Sequence, residues 1–528
     1  MPSFVQPCDE AVISAKKLFA PCPAAARPWI LAATILGSSM AFIDGTVVNV
    51  ALAALQADFN ASVADVQWVV EGYSLLLTSL LLVGGSLGDR YGRRRIFLFG
   101  VALFSCASLF CAFAANIQQL IAARALQGAG AALLVPGSLA IIGAAFEGEA
   151  RGRAIGTWAG FTAITTAVGP VMGGWLIEHV SWRAIFLINI PLALAVWLIA
   201  SKHVAESRDP DEKGRLDWFG AVLVTFGLGL LVYGLIRASQ TGFHQPSVVL
   251  SLIAAALLLA GFLFFESQIS NAMLPLALFR SRNFTAANLL TLLLYSALGG
   301  SLFFLPLNLI QVQGFSATAA GAALLPFVLI MFLLSRWAGG LVRRYGARLP
   351  LVFGPMIAAA AFALFALPGT RATYWSGFFL AIALLGLGMT ISIAPLTTTV
   401  MNSVPPHRMG VASGINNTVA RAAGLLAIAV FGIVMLDVFG RTLDSRLSMV
   451  NVPAEVKQAI KNQRIKLAGI QVPETISPAV REEIRDAINQ SFVSGFRTIM
   501  LISAALAFLS GIVSLILIEG RGVDHQKP

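Results

Sequence analysis

Long apolar stretches fill most of this chain, broken by short clusters of charged and turn-forming residues. A helix that crosses a bilayer needs roughly 20 mostly apolar residues. Fourteen stretches qualify: 29–56, 66–87, 95–115, 117–145, 154–177, 183–202, 216–236, 248–269, 285–311, 316–340, 349–368, 374–402, 410–437 and 495–518. Most are apolar on all sides, so helical periodicity does not single out a buried face. The pattern predicts an all-α polytopic membrane protein with 14 transmembrane helices, because the backbone of a segment in lipid must pair with itself. The few polar residues inside the stretches then carry the functional information.

Composition agrees and removes the alternatives. Of 528 residues, 57% are hydrophobic and 12% charged, with mean hydropathy +0.82. Soluble domains carry roughly 45–50% apolar and about 25% charged residues. Disorder, collagen and coiled coil are excluded on the same ground. The net charge of +11 raises nucleic acid as a partner, but the placement of the charge explains it better. With both termini inside, the cytoplasmic tails and loops hold 21 Lys and Arg, including Lys16, Lys17, Arg27 and the run Arg90, Arg93, Arg94, Arg95. The short loops on the other side hold three, Arg183, Arg237 and Arg371. Positive charge kept in cytoplasmic loops is the signature of membrane topology. No nucleic acid partner is expected.

The same placement gives the domain plan. A cytoplasmic N-terminal tail (1–28) precedes a six-helix bundle (29–202). A cytoplasmic linker (203–215), two inserted helices (216–269) and a second linker (270–284) follow. A C-terminal six-helix bundle (285–518) includes an external loop (438–494), and a short cytoplasmic tail (519–528) ends the chain. The loop contains two amphipathic stretches, 452–469 and 477–496, that read as surface helices. The two bundles are pseudo-symmetric. GGSLGDRYGRRRIFLFG (84–100) and AGGLVRRYGARLPLVFG (338–354) match at eight of 17 positions. RGRAIGT (151–157) echoes MGVASGI (409–415) at nearly the same offset. Two repeated halves are the plan of many secondary transporters.

Neither metal nor cofactor is expected. Cys8, Cys22, Cys106 and Cys111 have no metal-ligand spacing and imply no disulfide framework. His203, His244, His407 and His525 lie in loops or tails and His179 at a helix end, so no enzyme site is built among the spans. There is no GxxxxGK[ST] phosphate loop. Asp9 and Glu10 stand where a signal peptide would be basic.

Charges inside the spans are the exceptions. Asp44 lies roughly 22 Å from the cytoplasmic start of its helix; Glu71 and Arg124 lie roughly 8 and 10 Å from the outer ends of theirs, at about 1.5 Å per residue. All three fall at similar depth in the outer half of a core about 30 Å thick. They can form one polar site for a transported ion, or an ion pair that merely locks helices. Arg336 and Arg421 are the other span arginines, Arg336 near enough to a helix end to snorkel.

Four motifs carry a resemblance: FIDGTVVNVALAAL (42–55), GSLGDRYGRRR (85–95), RALQGAGAALLVPG (124–137) and VGPVMGG (168–174). Together they resemble the major facilitator superfamily, specifically its 14-helix drug:proton antiporter branch, over nearly the whole chain. Ala53 and Thr165 stand where that branch commonly has proline and glycine. The resemblance implies a bacterial cytoplasmic-membrane exporter of small, largely hydrophobic drugs or antibiotics, driven by protons through alternating access and working as a monomer among membrane lipids. A proton-coupled uptake symporter on the same fold is the alternative, since fold does not set direction.

The resemblance also distributes roles. Glu71 is the first candidate proton carrier, Asp44 the second, and Arg124 tunes proton movement. Gly85, Asp89, Arg90, Gly92, Arg93 and Arg94 form a conformational gate. Asp89, the lone acid of that run, can pair with Arg90, Arg93 or a helix N-terminus. Gly169, Pro170, Gly173 and Gly174 form the antiporter motif; the bland reading is close helix packing. Asn49, Gln127, Trp158, Phe161, Asn417 and Arg421 are candidate substrate contacts. Asn417 and Arg421, four residues apart, share a helix face and serve equally as a polar seam.

Overall fold

The computed structural model describes residues 26–519 except 147, 209–216, 270–271, 405–408, 451 and 474–475. The expected tails 1–28 and 519–528 and the middle of linker 203–215 lie largely outside the described residues, as does the side chain of Arg336. Among the described residues there are helices and no strands. Thirteen helices among the described residues are long and apolar enough to cross a membrane, and a bent pair, Val63–Leu81 and Val83–Tyr91 at 51°, makes a fourteenth if it is one span. The bend falls beside the Gly84–Gly85 pair, where a helix bends readily.

We label the helices in chain order. The first six are α1 (Arg27–Asp58), α2 (Val63–Tyr91), α3 (Arg93–Ala112), α4 (Ile117–Ala145), α5 (Gly148–His179) and α6 (Ala184–His203). Then come α7 (Trp218–Thr241) and α8 (Pro246–Gln268). The last six are α9 (Arg282–Leu307), α10 (Leu325–Tyr345), α11 (Arg348–Phe365), α12 (Phe379–Asn402), α13 (Met409–Met449) and α14 (Pro478–Leu517). The chain divides into two compact units. One comprises Met1–Val48, Trp68–Leu228 and Leu258–Leu274; the other comprises Asn49–Gln67, Gly229–Leu257 and Pro275–Pro528.

In the first unit, glycine lets backbones touch. A Cβ on Gly130 would lie 2.6 Å from the backbone nitrogen of Phe104, and one on Gly100 would lie 2.9 Å from that of Leu134, so α3 and α4 lie in direct backbone contact. In lipid such packing replaces the hydrophobic effect as the force between helices. Phe97, Phe104, Leu134 and Val196 fill the space around this contact and are fully buried.

The second unit repeats the device, with α11 against α12: a Cβ on Gly354 would lie 2.9 Å from the carbonyl of Gly388. Gly354 is the repeat mate of Gly100. The duplication extends to finer detail. Gly92 and Gly346 both take positive φ, 113° and 76°, which only glycine adopts without strain. Arg90 stacks over Tyr91 at 5.5 Å, and Arg344 over Tyr345 at 5.2 Å.

One expectation changes. The stretch 477–496 is not a separate surface helix but the first half of α14, and α13 continues to Met449. At 41 and 40 residues, each helix is about 60 Å long, twice the hydrocarbon thickness. The extensions are half polar, which a hydropathy window misses. Their apolar halves are buried all the same: Phe439, Leu443 and Leu447 on α13, and Ile484, Ile488 and Phe492 on α14. Burial against protein here takes the place of burial in lipid. The short helix Ala454–Asn462 and a turn whose Leu467 is buried connect the two.

Candidate functional site

Five helices of the first unit converge on a buried polar cluster. Asp44 of α1 and Arg124 of α4 form an ion pair, their side chains 0% and 1% exposed. Arg124 also donates to the Gln127 Oε1 at 2.7 Å and, through Nε, to the carbonyl of Val69 on α2 at 3.1 Å. The Gln127 amide donates to Asp44 Oδ1 at 2.9 Å and to the Ser108 hydroxyl of α3 at 3.2 Å. Asn189 of α6 donates to Ser108 at 3.0 Å and to Asp44 Oδ1 at 3.5 Å. Tyr73 lies under the guanidinium, 4.3 Å from ring centre to Cζ, and its hydroxyl donates to the carbonyl of Ala41. An isolated charge in such a place is prohibitive, so pairing and saturation with hydrogen bonds are what make the cluster possible.

Asp44, Arg124 and Gln127 are thus brought together, but Glu71 stands apart. It is fully buried, and neither carboxylate oxygen has a hydrogen-bond partner among the described residues. Helix geometry explains this. Tyr73 faces Arg124, and Glu71, two residues earlier, points about 200° around α2 from it. Counting residues along a span gives depth, but depth carries no information on angle. Asn189 and Ser108 escaped the sequence reading; an asparagine in the midst of an apolar span was the available signal for the first.

The glycine-rich segment 168–174 packs α5 on α1. A Cβ on Gly169 would meet the Thr46 hydroxyl at 2.5 Å, and one on Gly173 would collide with Val47. Thr46 is two residues from Asp44, so α1 turns one side to the ion pair and another to that segment. In the segment 85–95, Asp89 pairs with Arg93: Nε and Nη2 both lie 2.7 Å from Oδ1. Gly92 gives α3 no side-chain cap. Glu206, just past α6, supplies one, accepting the backbone N–H of Arg94 at 3.1 Å and of Arg95 at 3.3 Å. A carboxylate is favoured there by the free N–H groups and the helix dipole. A Cβ on Gly92 would lie 2.5 Å from that carboxylate, so the glycine serves both the turn and the cap. Glu206 is 112 residues from Arg94, and nothing local marks it.

The remaining candidates are more dispersed. Trp158 donates to the Ser38 hydroxyl at 3.0 Å, while Phe161 is 50% exposed. Asn49 is half-buried on α1. Asn417 is exposed and bonds back to the carbonyl of Ser413. Its neighbour Asn416 instead makes the seam, donating to Asn288 and Thr291 of α9 at 3.2 and 2.7 Å. Arg421 is half-buried and has a partner of its own. No group of three or more metal-ligating side chains occurs among the described residues.

Spanning helices in this number, duplicated halves and buried charge define a multi-pass membrane transporter. The chain belongs to the Major Facilitator Superfamily, whose profile matches residues 34–428. It is 32% identical over 498 residues to the tetracenomycin C resistance and export protein of Streptomyces glaucescens, covering 93% of this chain and 91% of that one. It is 33% identical over 495 residues to the multidrug resistance protein Stp of Mycobacterium tuberculosis, covering 91% and 90%. The fold is similar to that of a bacterial homologue of the human lysosomal transporter Spinster, solved inward-facing and unoccupied, with TM-score 0.65, 18% identity and coverage of 93% and 98%.

Proposed function

We propose that this protein is a proton-driven antiporter that exports small, largely hydrophobic drug-like compounds from a bacterial cell. The observation that carries the reading is likeness over nearly the full length to a protein named for antibiotic resistance and export. The excess of Lys and Arg in one set of loops supports a cytoplasmic-membrane location with both termini inside. The chain works as a monomer, and nothing covalent happens to the cargo.

Protons enter through buried carboxyl groups. Glu71 is buried, its carboxyl oxygens have no hydrogen-bond partner among the described residues, and a buried polar group without a partner is costly. Glu71 is the proton carrier in this scheme. The Asp44–Arg124 pair holds α1 to α4 and changes partners as the cargo moves. The test is transport of a broad compound panel into inverted membrane vesicles with and without a proton gradient. Accumulation should require the gradient and stop with a protonophore. Gradient-independent accumulation would overturn proton coupling. A pump-deficient host that accumulates more drug when expressing the protein would favour uptake instead.

Asp89 and Arg93 are the moving contact of the gate. Their side chains are 29% and 16% exposed, so the pair contributes at most about 1 kcal/mol to stability. Asp89→Asn should therefore leave melting nearly unchanged while slowing turnover severalfold. Unchanged transport kinetics would leave the segment only a topological role.

A further inference from the structure

The hairpin that joins α1 to α2 is fastened to a turn 410 residues further along the chain. Gln56, in the last turn of α1 and 5% exposed, donates through Nε2 to the carbonyl of Lys466 at 3.0 Å. Its Oε1 accepts the amide of Gln311 at 2.9 Å. Gln311 lies in the π-helical turn Asn308–Val312 that continues α9. The ammonium of Lys466 donates to Asn60 Oδ1 at 2.6 Å. A Cβ on Gly469 would lie 3.4 Å from the Gln56 amide, so the turn's backbone rests on that side chain. On the other arm of the hairpin, Gln67 of α2 is fully buried and donates to the carbonyl of Ile428 on α13 at 2.9 Å. All of these residues belong to the second compact unit, of which Asn49–Gln67 is a part.

Both sides of the contact are stiff. Asn60 takes a φ of 51°, which asparagine tolerates better than most residues. Ser62 and Asp65 close a reciprocal cap on α2: Ser62 Oγ accepts the N–H of Asp65 at 3.2 Å, and Asp65 Oδ2 accepts that of Ser62 at 2.9 Å. On the facing side, Leu467 is buried with φ 53° and ψ −127°, a strained conformation for a residue with a Cβ. Such a turn persists where its surroundings hold it, and Gln56 and Asn60 supply part of that hold. The bonds themselves join amides, a carbonyl and one ammonium, and Asn60 is exposed. Each can be exchanged for a bond to water at small net cost. A contact that opens and recloses needs that property.

We infer that the turn 464–469 is a latch, which holds the α1–α2 hairpin against α9 and releases it once in each transport cycle. The inference rests on transport by alternating access, and the orientation proposed above puts the latch on the outer face. Alternating access opens each end of a transporter in turn. The hairpin end stays shut while Gln56 is held by Lys466 on one side and Gln311 on the other.

Cross-linking separates a latch from a static brace. Gln56→Cys with Gly469→Cys, in the full-length protein, is joined by a short bifunctional methanethiosulfonate, and ethidium transport into inverted membrane vesicles is measured before and after. Transport should fall severalfold on cross-linking and return with a reducing agent, while each single variant treated alike keeps its rate. Unimpaired transport by the cross-linked protein would overturn the inference, because a brace tolerates a permanent bond and a latch does not. A second readout needs no cargo. Deuterium exchange of the backbone over 464–470 should be severalfold slower in the cross-linked than in the reduced protein, since opening exposes the turn. Equal exchange in the two forms would overturn the latch. Slower exchange on cross-linking, in a protein that moves no ethidium even when reduced, would uphold the latch and count against export alone. If this pair does not fold, Asn60→Cys with Lys466→Cys reads the same contact.

Discussion

Arg124→Ala is expected to abolish transport and to destabilise the protein by about 3–5 kcal/mol, the usual effect of removing one partner of a buried pair. The cause is what remains behind. Asp44 is fully buried, and its other partners are the neutral amides of Gln127 and Asn189. The carbonyl of Val69 and the face of Tyr73 lose their cation as well. Most of the damage is therefore an uncompensated charge, not a lost attraction. Adding Asp44→Asn to Arg124→Ala removes that charge and should recover part of the stability without restoring transport. Thermal melting in detergent and drug efflux at matched expression read the two effects separately. Wild-type melting and efflux in Arg124→Ala would reduce the residue to incidental helix packing.

The second large effect is on coupling alone. Glu71→Gln should eliminate drug-driven proton release from vesicles while leaving melting within about 1 kcal/mol of wild type. Glutamine has nearly the shape of the neutral acid. Since neither oxygen of Glu71 has a hydrogen-bond partner among the described residues, the exchange breaks no hydrogen bond to them. The amide simply cannot give up a proton to the other side. Proton release that survives both Glu71→Gln and Asp44→Asn would refute the assignment of either acid as the carrier.

Stability and coupling separate in this way because the two acids have different surroundings. Asp44 is held by Arg124, Gln127 and Asn189; Glu71 has no hydrogen-bond partner among the described residues. The sequence placed both at one depth and left open whether they share a site. Depth follows from counting residues along a span. Pairing depends on which side of each helix faces which neighbour, and spans that are apolar all round do not reveal that. The same limit hid Ser108 and Asn189. It also hid Glu206, whose role as the cap of α3 exists only because the chain after α6 returns to the turn at Gly92.

The long extensions of α13 and α14 show a different limit. Residues 438–449 and 478–494 are too polar to read as membrane helix, yet they are continuous with the spans. Their apolar residues at helical spacing were legible as amphipathic helix, but not what those residues would bury against. Phe439 and Phe492, both fully buried, show that protein packing supplies the answer.

The amino-acid sequence by itself determined that this chain is a multi-pass membrane protein, that its halves are duplicated, and which few charges are out of place. Each of these follows from the local requirement that backbone and charge avoid hydrocarbon, a requirement every segment meets on its own. Only the tertiary structure decided that Arg124 takes Asp44 and leaves Glu71 aside, and that Glu206 caps α3. Those pairings join residues from distant parts of the chain, and they depend on the rotation and contact of helices whose lipid-like surfaces look alike in sequence.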